Sequence, residues 1–464
     1  MPLVGMTNRG IDGQYLKNSD ENTLVECTER IDNMAQFQPG KVIKTDFGAP
    51  IKIEKFLAEG GQGEVYIVEY GGTKKALKWY KPNKLRDPDA FYDNLKNNAD
   101  HGSPDKAFLW PDAVTERIDG SFGYIMDLRP DGYYELNKIL ASDKYNIASF
   151  KVVAEAAIRI VSAFRVLHSI GYSYQDLNAG NFFVNLQTGD VLICDNDNVA
   201  PNGTHTGILG TPRYMAPEIV TGDGKVMPDT WSDRFSLSVI LFLLIFTSHP
   251  LEGKRWLVPC LTDPIARELY GSNPVFVLDE NDTSNRPVKG IHENLQGAWP
   301  YMPDYLKDAF RNTFCQEALH NPQRRMTESD WLEVLTRFRS DIVICSCGNS
   351  VILKDTNVAV CEICGKQYPV PHELKLPKYS IAINKGTRIY RCQLGMCNVA
   401  NALDPVGFVV ANDQNKLYLK NMTSTTWSAV TPSGKVNQVA PGGTVPFVPG
   451  IEIKVFEKPI KMIK

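Results

Sequence analysis

The sequence predicts an α+β chain in which a β-rich lobe precedes an α-rich lobe, followed by a short cysteine-bearing segment and a small all-β module. Three observations predict this order. Short β-prone runs separated by glycine pairs fill residues 41–126, as in an antiparallel sheet with tight turns. Apolar residues at helical spacing dominate residues 145–340. Residues 379–464 are rich in Val, Thr, Gly and Asn and contain turn signals.

Composition narrows the class of protein. The chain has 464 residues and a formal net charge of −3, without a basic block, so we expect neither nucleic acid nor membrane as a partner. No secretory signal is visible at the start, and the 10 cysteines of such a chain favour a reducing, cytoplasmic location. The longest apolar run, residues 237–246, is far shorter than the roughly 20 residues of a membrane helix, and we predict a buried helix there.

The expected organisation follows from shifts in pattern along the chain. Residues 1–40 are polar and lack periodicity, which indicates an extension. The segment SFKVVAEAAIRIVSAFRVLHSIG predicts a long helix that stops at Gly171. The remaining expected regions are two lobes at 41–126 and 127–340, a cysteine segment at 341–371 and, after a Pro-bearing linker, the β module at 379–464.

The first chemical signal is a glycine-rich turn followed by a strand lysine. In FLAEGGQGEVYIV the glycines lie between two β-prone runs, so backbone amides can approach phosphates without obstruction by a Cβ atom. Lys78 follows in a strand-like context. Taken singly, the two features are explained as a glycine-rich hairpin and a solvated lysine. Together they indicate a nucleotide site in which the lysine holds phosphates beneath a glycine-rich lid.

Further motifs follow one another between about residue 50 and residue 340, namely YQDLNAGN, DNDN, GTPRYMAPE, WSDRF and NPQRRMT. In this order the segment resembles the protein-kinase family, with YQDLNAGN as the catalytic loop, DNDN as the metal-binding loop, GTPRYMAPE as the end of the activation segment, WSDRF as the start of helix αF and NPQRRMT late in the lobe. The resemblance implies a bilobal kinase fold. It also implies an ion pair between Glu218 and Arg325, and an aspartate, Asp233, near the start of αF.

The resemblance assigns roles to individual residues. Phosphoryl transfer from ATP needs Mg²⁺ or Mn²⁺, and Mg²⁺ prefers carboxylate and amide oxygens. The implied catalytic residues are Asp176, Lys78 and Asn178, and the implied magnesium ligands are Asn181 and Asp195. The implied ATP-binding residues are Gly60, Gly61, Gly63, Val65, Ala76, Lys78, Met126 and Phe183. For Met126, simple core packing is almost as good an explanation as contact with adenine.

The metal-binding loop departs from the family pattern. Asn196 and Asp197 stand where the family has Phe and Gly after the metal-binding aspartate. We interpret Asp197 as a turn residue that hydrogen-bonds its own backbone, with a metal contact as the alternative. No Glu occurs between Lys78 and residue 116, so the acidic partner of Lys78 on helix αC is absent or replaced by Asp93.

The catalytic loop departs as well. Tyr174 and Gln175 replace the family's His and Arg, so a phosphate on the activation loop lacks its usual partner. Asn178 replaces a Lys, which removes a cation but leaves a side chain that can donate a hydrogen bond to the γ-phosphate. These gaps keep a pseudokinase open as an alternative.

The implied function is an ATP- and Mg²⁺-dependent kinase that phosphorylates Ser or Thr hydroxyls of a protein substrate, because GTPRYMAPE with Thr211 resembles serine/threonine kinases. The alternatives are a pseudokinase scaffold that presents its C-terminal modules to a partner, and a kinase-like enzyme that transfers AMP. The architecture also resembles that of bacterial kinases that act alongside a metal-dependent phosphatase, which implies such a phosphatase as a partner.

The cysteine segment predicts a structural metal site. Cys345 and Cys347 form one pair and Cys361 and Cys364 another, each followed by Gly, and four thiolates on two turns can close a tetrahedral Zn²⁺ site. The pattern resembles a zinc ribbon, and four unligated thiols are the alternative. Two further cysteines, Cys392 and Cys397, are predicted to be buried thiols rather than a second site.

The last module is predicted to be a β-sandwich with Trp427 in its core. It weakly resembles forkhead-associated domains, but it lacks the Gly-Arg pair and the Ser-x-x-His that would hold a phosphothreonine. We therefore expect a regulatory or docking module.

Overall fold

The computed structural model describes residues 35–82, 84–204, 210–353, 358–369, 372–396 and 401–463. Its first unit is a six-stranded antiparallel sheet accompanied by one helix. The strand order is β1-β2-β3-β4-β6-β5, with β1 Val42–Lys44, β2 Pro50–Glu59, β3 Gly63–Tyr70, β4 Thr73–Tyr80, β5 Pro111–Val114 and β6 Gly123–Asp127. Helix α1 (Pro88–His101) connects β4 to β5, and the side chain of Asp87 caps it by accepting a hydrogen bond from the N–H of Ala90.

The segment before β1 packs on this sheet. Phe37 is 6% exposed, and its ring meets that of Trp79 edge-on at a centroid distance of 4.8 Å. Gln36 accepts a hydrogen bond from the indole N–H of Trp79. The packed unit therefore includes Phe37, a few residues before the expected boundary, and residues 1–34 of the predicted extension lie outside the described residues.

The second unit is mostly helical. Its helices are α2 Leu136–Ala141, α3 Phe150–Ser169, α4 Pro217–Thr221, α5 Thr230–Phe246, α6 Asp263–Arg267, α7 Glu293–Ala298, α8 Asp304–Phe314, α9 Gln316–His320 and α10 Glu328–Ser340. Two small antiparallel sheets, ordered β10-β9-β7 and β11-β8, lie among them, with β7 Tyr133–Glu135, β8 Tyr172–Ser173, β9 Phe182–Asn185, β10 Val191–Ile193 and β11 Ala200–Pro201. Among the described residues, no helix combines the length and the apolar character needed to span a bilayer.

Two helices form the centre of this unit. The side chain of Ser149 caps α3 by accepting from the N–H of Val152, and the chain leaves the helix through Gly171 at φ 83°. A capping box between Asp229 and Ser232 starts α5, whose residues 235–246 are all buried. Both predicted helices are confirmed.

The third unit is a pair of hairpins and the fourth is a β-sandwich. The hairpins are β12 Ile342–Ile344 with β13 Ser350–Ile352, and β14 Val358–Val360 with β15 Gln367–Pro369. One sandwich sheet has the order β17-β16-β25-β24-β21-β22 and the other β18-β19-β20-β23. The strands are β16 Glu373–Lys375, β17 Ser380–Ala382, β18 Arg388–Tyr390, β19 Pro405–Ala411, β20 Leu417–Asn421, β21 Trp427–Val430, β22 Val436–Val439, β23 Thr444–Pro446, β24 Glu452–Val455 and β25 Lys458–Met462.

The sandwich begins earlier than expected and packs on the helical unit. Its first strand starts at Glu373, ahead of the predicted residue 379. Trp427 is 1% exposed in its core, as predicted. Tyr390 and Cys392 pack into the apolar core of the helical unit, so the two units share buried surface. The predicted burial of Cys392 is confirmed, whereas Cys397 lies outside the described residues.

Candidate active site

Lys78 lies between the two large units and pairs with two carboxylates. It stands opposite Val65 in the β3–β4 register, and its side chain is 9% exposed. Its Nζ lies 2.7 Å from Oδ2 of Asp197 and 3.2 Å from Oδ1 of Asp195. Burial opposes the charged ammonium, but the two carboxylates more than offset this effect and raise the pKa of Lys78. The lysine is therefore a fixed cation.

Asp197 has a different role from the predicted one. Its side chain is fully buried, and Oδ2 accepts both the Lys78 ammonium and the hydroxyl of Tyr80, 2.5 Å away. The interpretation of Asp197 as a residue that hydrogen-bonds its own turn is thus wrong, since a buried carboxylate requires a charged partner, and Lys78 supplies it. Asp93 is exposed on α1 and does not take the place of the αC glutamate, because the ion pairs of Lys78 go to the DNDN loop.

Asp195 and Asn181 bring two hard oxygen ligands together. Asp195 adopts a left-handed backbone conformation, φ 54°, just after β10, and its side chain is 46% exposed. Asn181 is buried, its Nδ2 donates to the carbonyl of Asp176 at 2.9 Å, and its own carbonyl accepts from the N–H of Cys194 at 2.9 Å. The side-chain oxygen of Asn181 and the partly exposed carboxylate of Asp195 are thus the oxygens left for a cation, and this donor set fits Mg²⁺.

Asp176 is half-buried in the loop between β8 and β9. The hydroxyl of Thr211 lies 3.4 Å from its Oδ1. Burial raises the pKa of Asp176 and the nearby charges of Asp195 and Asp197 add to the rise, while hydrogen bonds from Asn178 and Thr211 oppose it. A raised pKa makes this carboxylate a stronger proton acceptor.

Asn178 serves the loop itself. Its Oδ1 accepts from the N–H of Gly180 at 2.9 Å and caps a short 3-10 turn that ends at Asn181. Its Nδ2 lies 3.3 Å from the carbonyl of Asp176. The side chain predicted to assist the γ-phosphate is therefore engaged in shaping the catalytic loop.

A buried network of charged side chains holds the loop that contains Asp176. Of its members, only Asp233 was predicted from the sequence. Asp233 at the start of α5 accepts from the backbone N–H groups of Tyr174 at 2.6 Å and Gln175 at 3.0 Å. His168 at the end of α3 bridges Asp233, 3.1 Å away, and Glu328 of α10, 2.8 Å away. Burial lowers the pKa of His168, but hydrogen bonds to the two carboxylates raise it to about 9. A histidine near the end of an amphipathic helix gave no signal of this role.

The activation segment is tied down by uncharged and charged contacts. Gln175 has a positive φ of 73°, and its Nε2 donates to the carbonyl of Thr204 at 2.8 Å. The predicted pair of Arg325 and Glu218 is confirmed, with two hydrogen bonds of 2.8 and 2.6 Å. The Arg325 side chain is fully buried.

The predicted ATP-binding residues lie on the glycine-rich turn, on the first sheet and on β9. The N–H of Gly60 donates to the carbonyl of Gly63 at 2.8 Å, and a Cβ at Gly63 would come within 2.2 Å of the carbonyl of Trp79. Gly61 lies between these two in the β2–β3 turn. Val65, Ala76 and Met126 share one apolar cluster, which is equally consistent with core packing. Phe183 lies on β9 of the helical unit, with the Arg129 guanidinium 4.5 Å from its ring centroid.

The four predicted zinc ligands converge. Cys345 and Cys347 follow β12, and Cys361 and Cys364 follow β14. Their four Sγ atoms all lie within 4.8 Å of one another, with 3.4 Å between Cys345 and Cys364 and 3.6 Å between Cys347 and Cys361. A tetrahedral site with Zn–S bonds of about 2.3 Å places sulfurs about 3.8 Å apart, so the cluster has the right size.

Comparison with known proteins shows similarity to protein kinases. Residues 121–262 match the family model of the protein kinase domain. Serine/threonine-protein kinase Sgk1 of Xenopus tropicalis is 33% identical over 103 residues, 21% of this chain and 24% of that protein. AtPK2/AtPK19 of Arabidopsis thaliana, a serine/threonine-protein kinase, is 23% identical over 305 residues, 62% of this chain and 60% of that protein.

The matches are partial. The chain spans about a quarter of Sgk1 and about three fifths of AtPK2/AtPK19. The Mycobacterium tuberculosis PknI kinase domain aligns in structure with a TM-score of 0.42 and 17% sequence identity, over 64% of this chain and 98% of that one.

Proposed function

We propose that the protein is an ATP- and Mg²⁺-dependent kinase that phosphorylates Ser or Thr residues of proteins. The observation that carries the proposal is the convergence of Lys78, Asp195 and Asn181 beside Asp176, in loops joined by backbone hydrogen bonds. A buried cation, a carboxylate–amide pair and a half-buried aspartate are the parts that phosphoryl transfer to a hydroxyl requires.

Each residue of the proposed site has its own role in phosphoryl transfer. Lys78 holds an ammonium group toward the phosphates of ATP beneath the turn at Gly60–Gly63. Asp195 and Asn181 would hold Mg²⁺, which neutralises charge on the phosphate oxygens. Asp176 orients the acceptor hydroxyl and takes its proton while the hydroxyl oxygen bonds to the γ-phosphorus and the bond from that phosphorus to ADP breaks. Its raised pKa supports the role of proton acceptor.

Mass spectrometry of intact protein after incubation with Mg·ATP tests this proposal. A gain of about 80 Da per site on the protein or on a supplied protein substrate is expected, and a gain of about 329 Da would instead indicate AMP transfer. Asp176→Asn is the matched control and is expected to show no gain. Wild-type protein that binds Mg·ATP but never modifies any substrate would contradict the proposal and favour the scaffold.

We also infer that Cys345, Cys347, Cys361 and Cys364 hold a structural Zn²⁺. Convergence of four thiols supports a closed site without a position for a substrate. Elemental analysis of reduced, purified protein is expected to give one zinc per chain, and metal-free protein with intact hairpins would contradict the inference.

We also propose a metal-dependent protein phosphatase as a partner, because the order of domains resembles that of bacterial kinases that act alongside such a phosphatase. Co-purification of the full chain with a metal-dependent phosphatase from its own source would support it. A cytoplasmic location is proposed with it.

A further inference from the structure

The ion pair that fixes Lys78 is built between strand β4 and the DNDN loop, without a contribution from helix α1. Lys78 and Tyr80 are two residues apart on β4, so their side chains point to the same face of the sheet. Both meet the same oxygen, Oδ2 of Asp197, at 2.7 and 2.5 Å. The Lys78 ammonium also lies 5.6 Å from the centroid of the Tyr80 ring.

Helix α1 presents aromatic and amide side chains where an acidic one would be needed. Phe91 packs edge-on against Tyr80 with ring centroids 5.3 Å apart. Asn94 and Asn98 donate from Nδ2 to the carbonyl of Val199, at 2.8 and 2.7 Å. The helix is therefore tied to the backbone of the loop and reaches the lysine's counter-ion through Tyr80.

Asn196 closes the loop from the other side. It is fully buried at the position where the protein-kinase family has Phe, and its Nδ2 donates to the carbonyls of Leu109 at 2.8 Å and Ile193 at 3.0 Å. These bonds fix the backbone next to Asp197. The loop thus holds its acidic side chain in place by its own polar contacts.

We propose that Asp197 is the positioning residue for Lys78, so that the lysine and the metal-binding Asp195 are held by one loop and are aligned together. This proposal rests on the proposed kinase function and deepens it. The consequence concerns regulation: removing an acidic side chain from α1 leaves Lys78 in place, whereas a change in the DNDN loop displaces the lysine and the metal ligand at once.

The test compares Asp197→Asn, which keeps the side-chain shape, with Asp93→Asn on the exposed face of α1. We expect Asp197→Asn to lower kcat/KM for ATP by about 100-fold or more, and Asp93→Asn to stay within about twofold of wild type. In a Lys78→Met background, adding Asp197→Asn is expected to change kcat/KM by less than about threefold, because the residue acts through the lysine. Independent, multiplicative losses would overturn the proposal, as would wild-type kinetics of a folded Asp197→Asn protein.

Two further measurements test the role of Asp197, one with a second variant and one without catalysis. Tyr80→Phe removes one hydrogen bond to Asp197 and replaces Asp197→Asn in the test if that variant does not fold. We expect Tyr80→Phe to lower kcat/KM for ATP several-fold, and we expect this loss to disappear in the Lys78→Met background. A loss that persists in that background would contradict the proposal. Labelling of Lys78 by an amine-directed reagent, read by peptide mass spectrometry, needs no catalysis. Faster labelling in Asp197→Asn than in Asp93→Asn is expected even if wild-type protein transfers no phosphate; equal labelling would refute the ion pair itself.

Discussion

At the scale of single residues, the DNDN loop shows which residue roles could be predicted from the sequence and which depend on long-range packing. A metal-binding role for Asp195 was predicted from the resemblance of DNDN to the metal-binding loop of protein kinases. Asp197 could not, because its partners Lys78 and Tyr80 lie more than a hundred residues earlier and reach it only through packing of the two lobes. The signal available in the sequence was a second aspartate two residues after Asp195, combined with the absence of a Glu from α1.

His168 leads to a prediction about pH. Its pKa is raised to about 9 in the folded protein, above an unfolded value of about 6.5, so its contribution to stability is complete below about pH 6.5 and is lost as the pH rises through about 9. This contribution is about 3 kcal/mol in order of magnitude. His168→Gln is expected to lower the free energy of unfolding at pH 6.5 and to converge with wild type by about pH 10.

Urea unfolding across this pH range measures the effect. The exposed His101→Gln serves as the control, and its difference from wild type is expected to stay flat. A His168→Gln difference that does not shrink with rising pH would show that the ring acts by packing and not as a cation between Asp233 and Glu328.

At the scale of elements, the hairpins around the four cysteines bury little apolar surface of their own. Short strands of three residues each, with Val358, Val360 and Ile344 exposed, are marginal without a metal, because a small unit relies on such a staple. Cys361→Ser is therefore expected to release zinc and to raise hydrogen exchange across residues 341–353 and 358–369. Nucleotide binding should stay within about twofold of wild type, because the four thiols contact one another and Asn349 and not the candidate active site.

The comparison with Cys392→Ser makes this prediction specific. Cys392 is buried in the core shared with the helical unit and lies outside the cluster, so its replacement is expected to lower thermal stability without loss of metal. Retention of zinc in Cys361→Ser, or loss of nucleotide binding with it, would contradict the account of the hairpins.

Elements with strong local patterns could be predicted from the sequence, whereas the long-range contacts that hold them in place could not. Helix α3 is predicted by the capping residue Ser149, by its apolar spacing and by Gly171 at its end. The ion pair of Arg325 with Glu218 followed from motif order. By contrast, the packing of Phe37 on Trp79 depends on a polar-looking segment returning to the sheet, and periodicity carries no record of such a contact.

At the scale of the whole molecule, the C-terminal sandwich is fastened to the helical unit. Lys378 pairs with Glu333 of α10 at 2.6 Å, and Ala382 donates to Asp341 at 3.4 Å. Tyr390 and Cys392 join the helical core. The sequence predicted the module but not this attachment, since turn signals and strand alternation describe a sandwich without saying which surface it covers. The candidate active site lies between the two units, with Lys78 from the first and Asp176, Asn181, Asp195 and Asp197 from the second.

The measurement that tests the central claim most directly is nucleotide binding together with turnover for Asp195→Asn and Asp176→Asn. If this cleft transfers the γ-phosphoryl group of ATP, Asp195→Asn weakens Mg·ATP binding and abolishes transfer together, because the carboxylate holds the metal ion. Asp176→Asn is predicted to leave affinity near the wild-type value in calorimetry while lowering kcat by several orders of magnitude, because its contribution comes in the transition state. Equal turnover of Asp176→Asn and wild type, or unchanged Mg·ATP affinity in Asp195→Asn, would contradict it.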